Sequence, residues 1–210
     1  MRIDFQHHLG AVDRSVASLE IEGKPARAIT LVRTFDTTID DLWDAVTNPE
    51  RLPRWFLPVS GDLRLGGRFQ LEGNAGGEIT TCNAPRHLAV TWEIGGDTSW
   101  VEVRLSSEGP EQARLALTHT ALPTPHWDTY GSGATGVGWE LGIMALALYL
   151  ADPTVELDEA TLAASPEGKA LIRGSSERWG KASIAAGEDK DAALASVSKT
   201  TAFFTGEAEG

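Results

Sequence analysis

The sequence predicts an α+β chain: a curved antiparallel β-sheet around one long apolar α-helix, with two short helices near the start and a helical extension at the end. Three observations carry this. Residues 68–122 alternate apolar and polar side chains in successive short runs, and runs of that kind joined by tight turns form an antiparallel meander. Residues 137–151, VGWELGIMALALYLA, are apolar on most sides, as a helix buried along much of its length must be. Ahead of the meander, Ile39, Leu42, Trp43 and Val46 recur at i, i+3, i+4, i+7, the stripe of a short amphipathic helix.

The elements follow in order. Residues 1–13 show no clear period. SVASLEIEG and KPARAITLVRTF are β-rich and flank a turn at Gly23-Lys24-Pro25. Thr38 is placed to cap the first helix, with Asp40 and Asp41 in the turn where negative charge suits the helix dipole. Pro49 ends that helix, and a second short one is expected over Glu50–Trp55, closed by Pro58. RFQLEG, GEITTCNA, HLAVTWEIGG, SWVEVRLSSEG and QARLALTHTAL are the strands of the meander. PHWDTYGSGATG reads as a loop, Asp152-Pro153 closes the long helix, and two further helices start at Ser165-Pro166 and near Asp189.

At 210 residues the chain is one domain with appendages: residues 1–151 as the sheet-and-helix domain, and 152–210 as a helical extension packed on it. A net charge of −12 argues against nucleic acid or an anionic membrane as partner, because both need a basic face to displace counterions. Cys82 is the only cysteine, so no intrachain disulfide forms; it is expected buried or half-buried. No apolar run of about 18 residues is present, and the first residues lack the apolar stretch of a secretory signal. A cytoplasmic protein is expected.

A curved sheet covered by one long helix does not meet it along its whole length, and the remaining cleft is the usual place for a small apolar ligand. The residues also carry a resemblance. RTFDTTIDDLWDAVTNPERLPRWF, GDLRLGGRFQLEG, APRHLAVTWEI, ARLALTHTAL and GWELGIMALALYL, in this order, resemble the START-like (SRPBCC) superfamily. They are most similar to its AHSA-type group, named after a co-chaperone that activates a heat-shock chaperone ATPase. The resemblance covers residues 26–151 and implies a helix-grip fold with an internal cavity. Members of the superfamily include lipid carriers, aromatases and cyclases, hydrolase-like proteins, stress-associated binders and chaperone regulators, so the fold by itself leaves function open. The namesake's activity also depends on a second domain, and residues 1–25 contain nothing like one.

The candidate ligand-binding set is Trp55, Phe56, Phe69, Trp92, His119, Trp127, Tyr130, Trp139 and Met144. Trp55 and Phe56 are adjacent on a short helix and face different ways, so one can anchor it while the other lines a cavity mouth. Val90, Trp92 and Ile94 share one strand face, as do Phe69 and Leu71. If these interdigitate fully they are core, the default for protein interiors; if not, they line an aromatic cavity. His119 shares its face with Leu115 and Leu117, which suits a hydrogen-bonded core histidine and equally a general acid or base. His126, Trp127, Asp128 and Tyr130 precede the long helix, where Gly131, Gly133, Gly136 and Gly138 allow either a mobile gate or a plain connection. Glu93, Glu102 and Arg104 fall on the other strand faces as solvated cross-strand charges. His7 and His8 point apart in an extended segment, with no cluster to complete a metal site, so no metal or other cofactor is expected.

Three functions compete. The first is binding of a small hydrophobic or aromatic ligand. The second is an enzyme of the aromatase, cyclase or hydrolase type, using His119 with Tyr130 or Asp128. The third is a stress-related or co-chaperone-like interaction module that meets a partner, or a second copy in a homodimer, through Trp179, Phe203 and Phe204 of the C-terminal extension.

Overall fold

A computed structural model describes residues 3–155 and 157–207. Its elements are α1 (Phe5–Gly10), β1 (Asp13–Ile21), β2 (Lys24–Phe35), α2 (Ile39–Thr47), β3 (Val59–Gly61), β4 (Arg68–Leu71), β5 (Gly76–Asn83), β6 (His87–Ile94), β7 (Asp97–Gly109), β8 (Gln112–Ala121), α3 (Pro125–Tyr130), α4 (Gly133–Ala151), α5 (Glu159–Ala164), α6 (Pro166–Ala185) and α7 (Lys190–Thr205). The strands form one curved, open antiparallel sheet in the order β1-β2-β8-β7-β6-β5-β4-β3. This is the α+β helix-grip architecture that the alternation and the long apolar run predict. By contact the chain divides into two compact units: Met1–Leu31, Leu122–Met144 and Leu157–Gly210 form one, and Val32–Ala121 with Ala145–Glu156 the other.

The second unit is built on the β3–β8 meander. Its register places Phe69 opposite Gly77, Ile79 opposite Val90, Val90 opposite Val101, and Val101 opposite His119. Because side chains alternate across a strand, these residues share one face with Trp92, Ser99, Val103, Leu115 and Leu117. The other face carries Glu102 paired with Arg104 and His87, and Glu93 paired with Arg68. Thr38 caps α2 by accepting from the Asp41 amide. The helix expected over Glu50–Trp55 is only a 3-10 turn at Leu52–Arg54. With Pro49, Pro53 and Pro58 so close together, the backbone lacks the N–H donors that an α-helix needs to propagate.

Arg51 fastens this corner. Its guanidinium donates to Asp41 Oδ1 at 2.8 Å, Asp44 Oδ2 at 2.9 Å and the Tyr149 hydroxyl at 3.0 Å, which ties α2 to the last turns of α4. Burial alone would raise the Asp41 carboxyl, but the Thr37 hydroxyl and the Arg51 guanidinium more than offset it and hold the group below its ordinary range.

The first unit holds β1 and most of β2 but is mainly helical. Asp4 caps α1, Ser165 and Pro166 start α6, and Asp189 caps α7, which ends on Gly206 in the left-handed region. Residues 5–10, expected without regular structure, are therefore a helix, and His7 and His8 stand on it with rings edge to face. The predicted loop before the long helix is also helical. α3 occupies Pro125–Tyr130, and α4 begins at Gly133 rather than Val137. Gly133, Gly136 and Gly138 thus lie inside a helix and are not a mobile gate. A Cβ on Gly136 would sit 2.3 Å from Trp179 Cε2, and one on Gly133 would sit 2.5 Å from Thr200 Oγ1. Close packing of α6 and α7 outweighs glycine's poor helix propensity at these positions.

Glu140 of α4 is buried and accepts from Arg14 Nε at 2.8 Å, from Arg14 Nη2, and from Ser175 Oγ at 2.7 Å. Arg14 also donates to the carbonyls of Val12 and Leu9. The charges are paired and hydrogen-bonded, as buried ions must be. By length and hydropathy alone α4 is sufficient to cross a membrane, but most of it is buried inside the protein, the position of a core helix.

Candidate functional site

The inward face of the meander changes character along its length. On β8, Ala113, Leu115 and Leu117 are buried, while His119 is half-buried. On β6, Val90 is buried and Trp92 half-buried; on β7, Leu105, Val103 and Val101 are buried and Ser99 half-buried. The register sets Trp92 opposite Ser99 and Val101 opposite His119, so the half-buried residues are neighbours at one end of the sheet. Phe69 on β4, itself buried, lies beside them. Its ring lies 6.3 Å from that of Trp92, and Trp92 lies 6.2 Å from His119 in an edge-on arrangement, both within the range of favourable ring contacts. Three predicted ligand residues from β4, β6 and β8 therefore form one aromatic wall. Ile94, on the same strand face as Trp92, continues outward and is exposed.

Trp55 and Phe56 follow the 3-10 turn and stack at 5.4 Å with an interplanar angle of 26°. Trp55 Nε1 donates to the Ala45 carbonyl of α2 at 2.9 Å. Trp55 is an anchor as well as a surface: its indole nitrogen fixes the turn to α2, while both rings stay half-buried.

His119 Nε2 lies 2.8 Å from Ser99 Oγ, and Ser99 Oγ donates to the Trp92 carbonyl at 3.1 Å. Burial lowers the His119 pKa to about 4, so the ring is neutral at neutral pH. Ser99 was not visible to sequence reasoning as a partner of His119. The two stand 20 positions apart, and only the β7–β8 register brings them together.

The other candidates belong to the helical unit. Tyr130 packs at 4.8 Å from His126 and 5.2 Å from Phe203, and Phe203 meets Phe204 at 5.1 Å. Phe203 is 56% exposed, whereas Trp179, expected with it at the surface, is fully buried against Gly136. Trp127 and Trp139 are half-buried. Met144 is buried beside a void of about 10 Å³ lined by His8, Glu140, Leu141, Leu171 and Ser175, room for one water at most. A larger open groove of about 440 Å³, between Ile3–Gln6 and Glu167, Ala170 and Leu171, includes none of the candidates. Cys82 is exposed, contrary to the expectation of burial; it stands opposite Leu88 next to the end of β5, after the register shift between Ile79 and Thr81. Among the described residues, no group of three or more His, Cys, Asp or Glu side chains is close enough to hold a metal ion.

Comparison with known proteins adds to this geometry. Residues 36–151 match the family described as Activator of Hsp90 ATPase homolog 1-like protein. CalU16 from Micromonospora echinospora is similar over nearly its whole length. Its crystal structure is 33% identical, covers 85% of this chain and 99% of CalU16, and superposes with a TM-score of 0.66. Its solution structure gives 32%, 84%, 97% and 0.70. That similarity extends beyond residues 36–151. PFC0360w, described as an HSP90 activator from Plasmodium falciparum, is 23% identical over 59% of this chain and 96% of its own, with a TM-score of 0.53, a likeness of fold. No curated protein matches significantly.

Proposed function

The chain belongs to the START-like family of Activator of Hsp90 ATPase homolog 1-like proteins, and from that premise we infer that it binds a small, uncharged, largely aromatic or hydrophobic molecule against the sheet wall of Phe69, Trp92 and His119. The observation that carries this reading is the loss of burial at one end of an otherwise buried strand face. Leu115 and Leu117 are sealed, and His119, Trp92 and Ser99 are not. Rings partly exposed beside a packed core offer flat apolar surface that a flat ligand can cover. Trp55 and Phe56, also half-buried, extend the aromatic surface available in the same unit. Trp127, Tyr130 and Trp139 remain candidates on chemical grounds.

The net charge of −12 fits a binder of small neutral molecules better than a binder of nucleic acid or anionic membranes. The reading is tested by native mass spectrometry of the protein purified from its own source. A co-purifying aromatic or hydrocarbon molecule, lost in Trp92→Ala, is the expected result. Purely unliganded protein from that source, together with no binding of aromatic probes in vitro, contradicts it.

A further inference from the structure

Residues 46–66 hold no buried side chain, although Leu52, Trp55, Phe56 and Leu57 lie among them, all half-buried. The backbone within this stretch is bonded to itself. The Arg51 and Leu52 amides donate to the Asn48 carbonyl, the Arg54 amide to the Arg51 carbonyl, and the Trp55 and Phe56 amides to the Leu52 carbonyl. Residues 48–56 therefore form one compact block. Three side chains tie it to neighbouring elements: Arg51 to Asp41, Asp44 and Tyr149, Arg54 Nη2 to the Pro153 carbonyl at 2.9 Å, and Trp55 Nε1 to the Ala45 carbonyl. The block begins where α2 ends, at Asn48, and leads through Pro58, whose carbonyl accepts from the Glu72 amide at 2.9 Å, into β3. β3 pairs with β4, Val59 opposite Leu71 and Gly61 opposite Phe69. Phe56 is at most about 10 Å of chain from Val59, so the stacked rings stand at the sheet edge that carries Phe69.

We propose that residues 48–57 are a hinged flap at the edge of the aromatic wall, latched by Arg51, and that its opening admits and releases the ligand. This rests on the ligand-binding reading above. Segments with little buried apolar surface open locally at low cost. The block is bounded by the end of α2 and the entry to β3, element-terminal positions of the kind that serve as hinges. Pro49 and Pro53 fix φ inside it, and its amides are satisfied internally, so it swings as one piece with the Trp55–Phe56 stack on it. The latch has the strength a gate needs. Its carboxylates are open to water, Asp41 44% and Asp44 51% exposed against 21% for Arg51, and ion pairs in that setting contribute little each. A buried pair such as Arg14–Glu140 would be far harder to part. Arg51 nevertheless grips two elements at once, α2 through the carboxylates and α4 through Tyr149, whose ring its guanidinium also overlies at 5.4 Å. Arg51 is thus a positioning residue, acting on the ligand through the flap it holds.

The experiment combines stopped-flow binding of 1-naphthol with hydrogen–deuterium exchange on the full chain. Three forms are compared: the wild type, Arg51→Met, which keeps the aliphatic stem and removes the guanidinium, and Tyr149→Phe, which removes one acceptor and carries the test if Arg51→Met does not fold. In Arg51→Met the association and dissociation rates should both rise roughly 5- to 10-fold, with Kd unchanged within about 2-fold, because the same latch is released with ligand bound or absent. The amides of residues 51–56 should exchange faster by a similar factor. Tyr149→Phe should give the same pattern at about 2-fold. A weaker Kd with an unchanged association rate would show that Arg51 shapes the site without gating it, and overturns the proposal. Unchanged exchange at residues 51–56 in both variants overturns the latch. Faster exchange with unaltered binding rates overturns the gate and leaves the ligand-binding reading standing. If 1-naphthol does not bind, the gate falls together with the ligand-binding reading, and exchange alone decides the latch.

Discussion

In the helical unit, contact is made by what is missing: Gly136 leaves room for the Trp179 indole, Gly133 for Thr200, and Gly180 for Val197. The sheet unit also has close glycine approaches, Gly77 to Thr91 and Gly61 to Arg68, yet its Trp55, Phe56, Trp92 and His119 all stay half-buried. Two of the helical unit's polar clusters are paired internally, Glu140 with Arg14 and Ser175, and Ser132 with Ser183, and its enclosed void next to Met144 is about the size of one water. The sheet unit has aromatic surface that it does not itself cover.

Four measurements break or sharpen this contrast. Glu140→Ala should be the most damaging change, because Arg14 would remain buried with its charge unpaired; a loss of about 3–5 kcal/mol is expected in urea unfolding. Gly136→Leu drives a side chain into Trp179 and should lose about 2–3 kcal/mol, with ligand binding on the sheet wall retained in the folded fraction. The third measurement is the pH dependence of stability. The His119 pKa is about 4 in the folded protein, against about 6.5 unfolded. Between those values the unfolded chain binds the extra proton, so stability is complete above about pH 6.5 and declines as pH falls towards 4. Discounted for the ring's partial exposure, the loss is about 1–3 kcal/mol, and His119→Asn should flatten that part of the profile. Last, Phe203→Ser should change stability by no more than about 0.5 kcal/mol, since the ring is mostly exposed; a larger loss in thermal unfolding would show that the surface cluster with Tyr130 is structural.

The sheet and the long helix were legible in the sequence because their signals are periodic. Alternation named β4 to β8 closely, and Thr38, Ser165 and Asp189 marked helix starts that all proved to be side-chain caps. Gly133 and Gly136 misled because glycine reads locally as a break, and only the α6 and α7 side chains lying against them, Trp179 and Thr200, explain why the helix continues. Trp179 misled for the converse reason, since its burial depends on a glycine 43 positions earlier. Within the candidate site, Phe69, Trp92 and His119 were chosen for ring chemistry and strand face, which the register unites. Ser99 and the Arg14–Glu140 pair were invisible, because each depends on a long-range pairing that no local period encodes.

The central claim is that a neutral aromatic molecule binds on the sheet wall. Chemical-shift mapping of the isotope-labelled chain with 1-naphthol tests it most directly. The account predicts shifts concentrated at Phe69, Trp92, Ser99 and His119, abolished by Trp92→Ala. Shifts confined to α6 and α7, or saturable binding that survives loss of Trp92 unchanged, would contradict it.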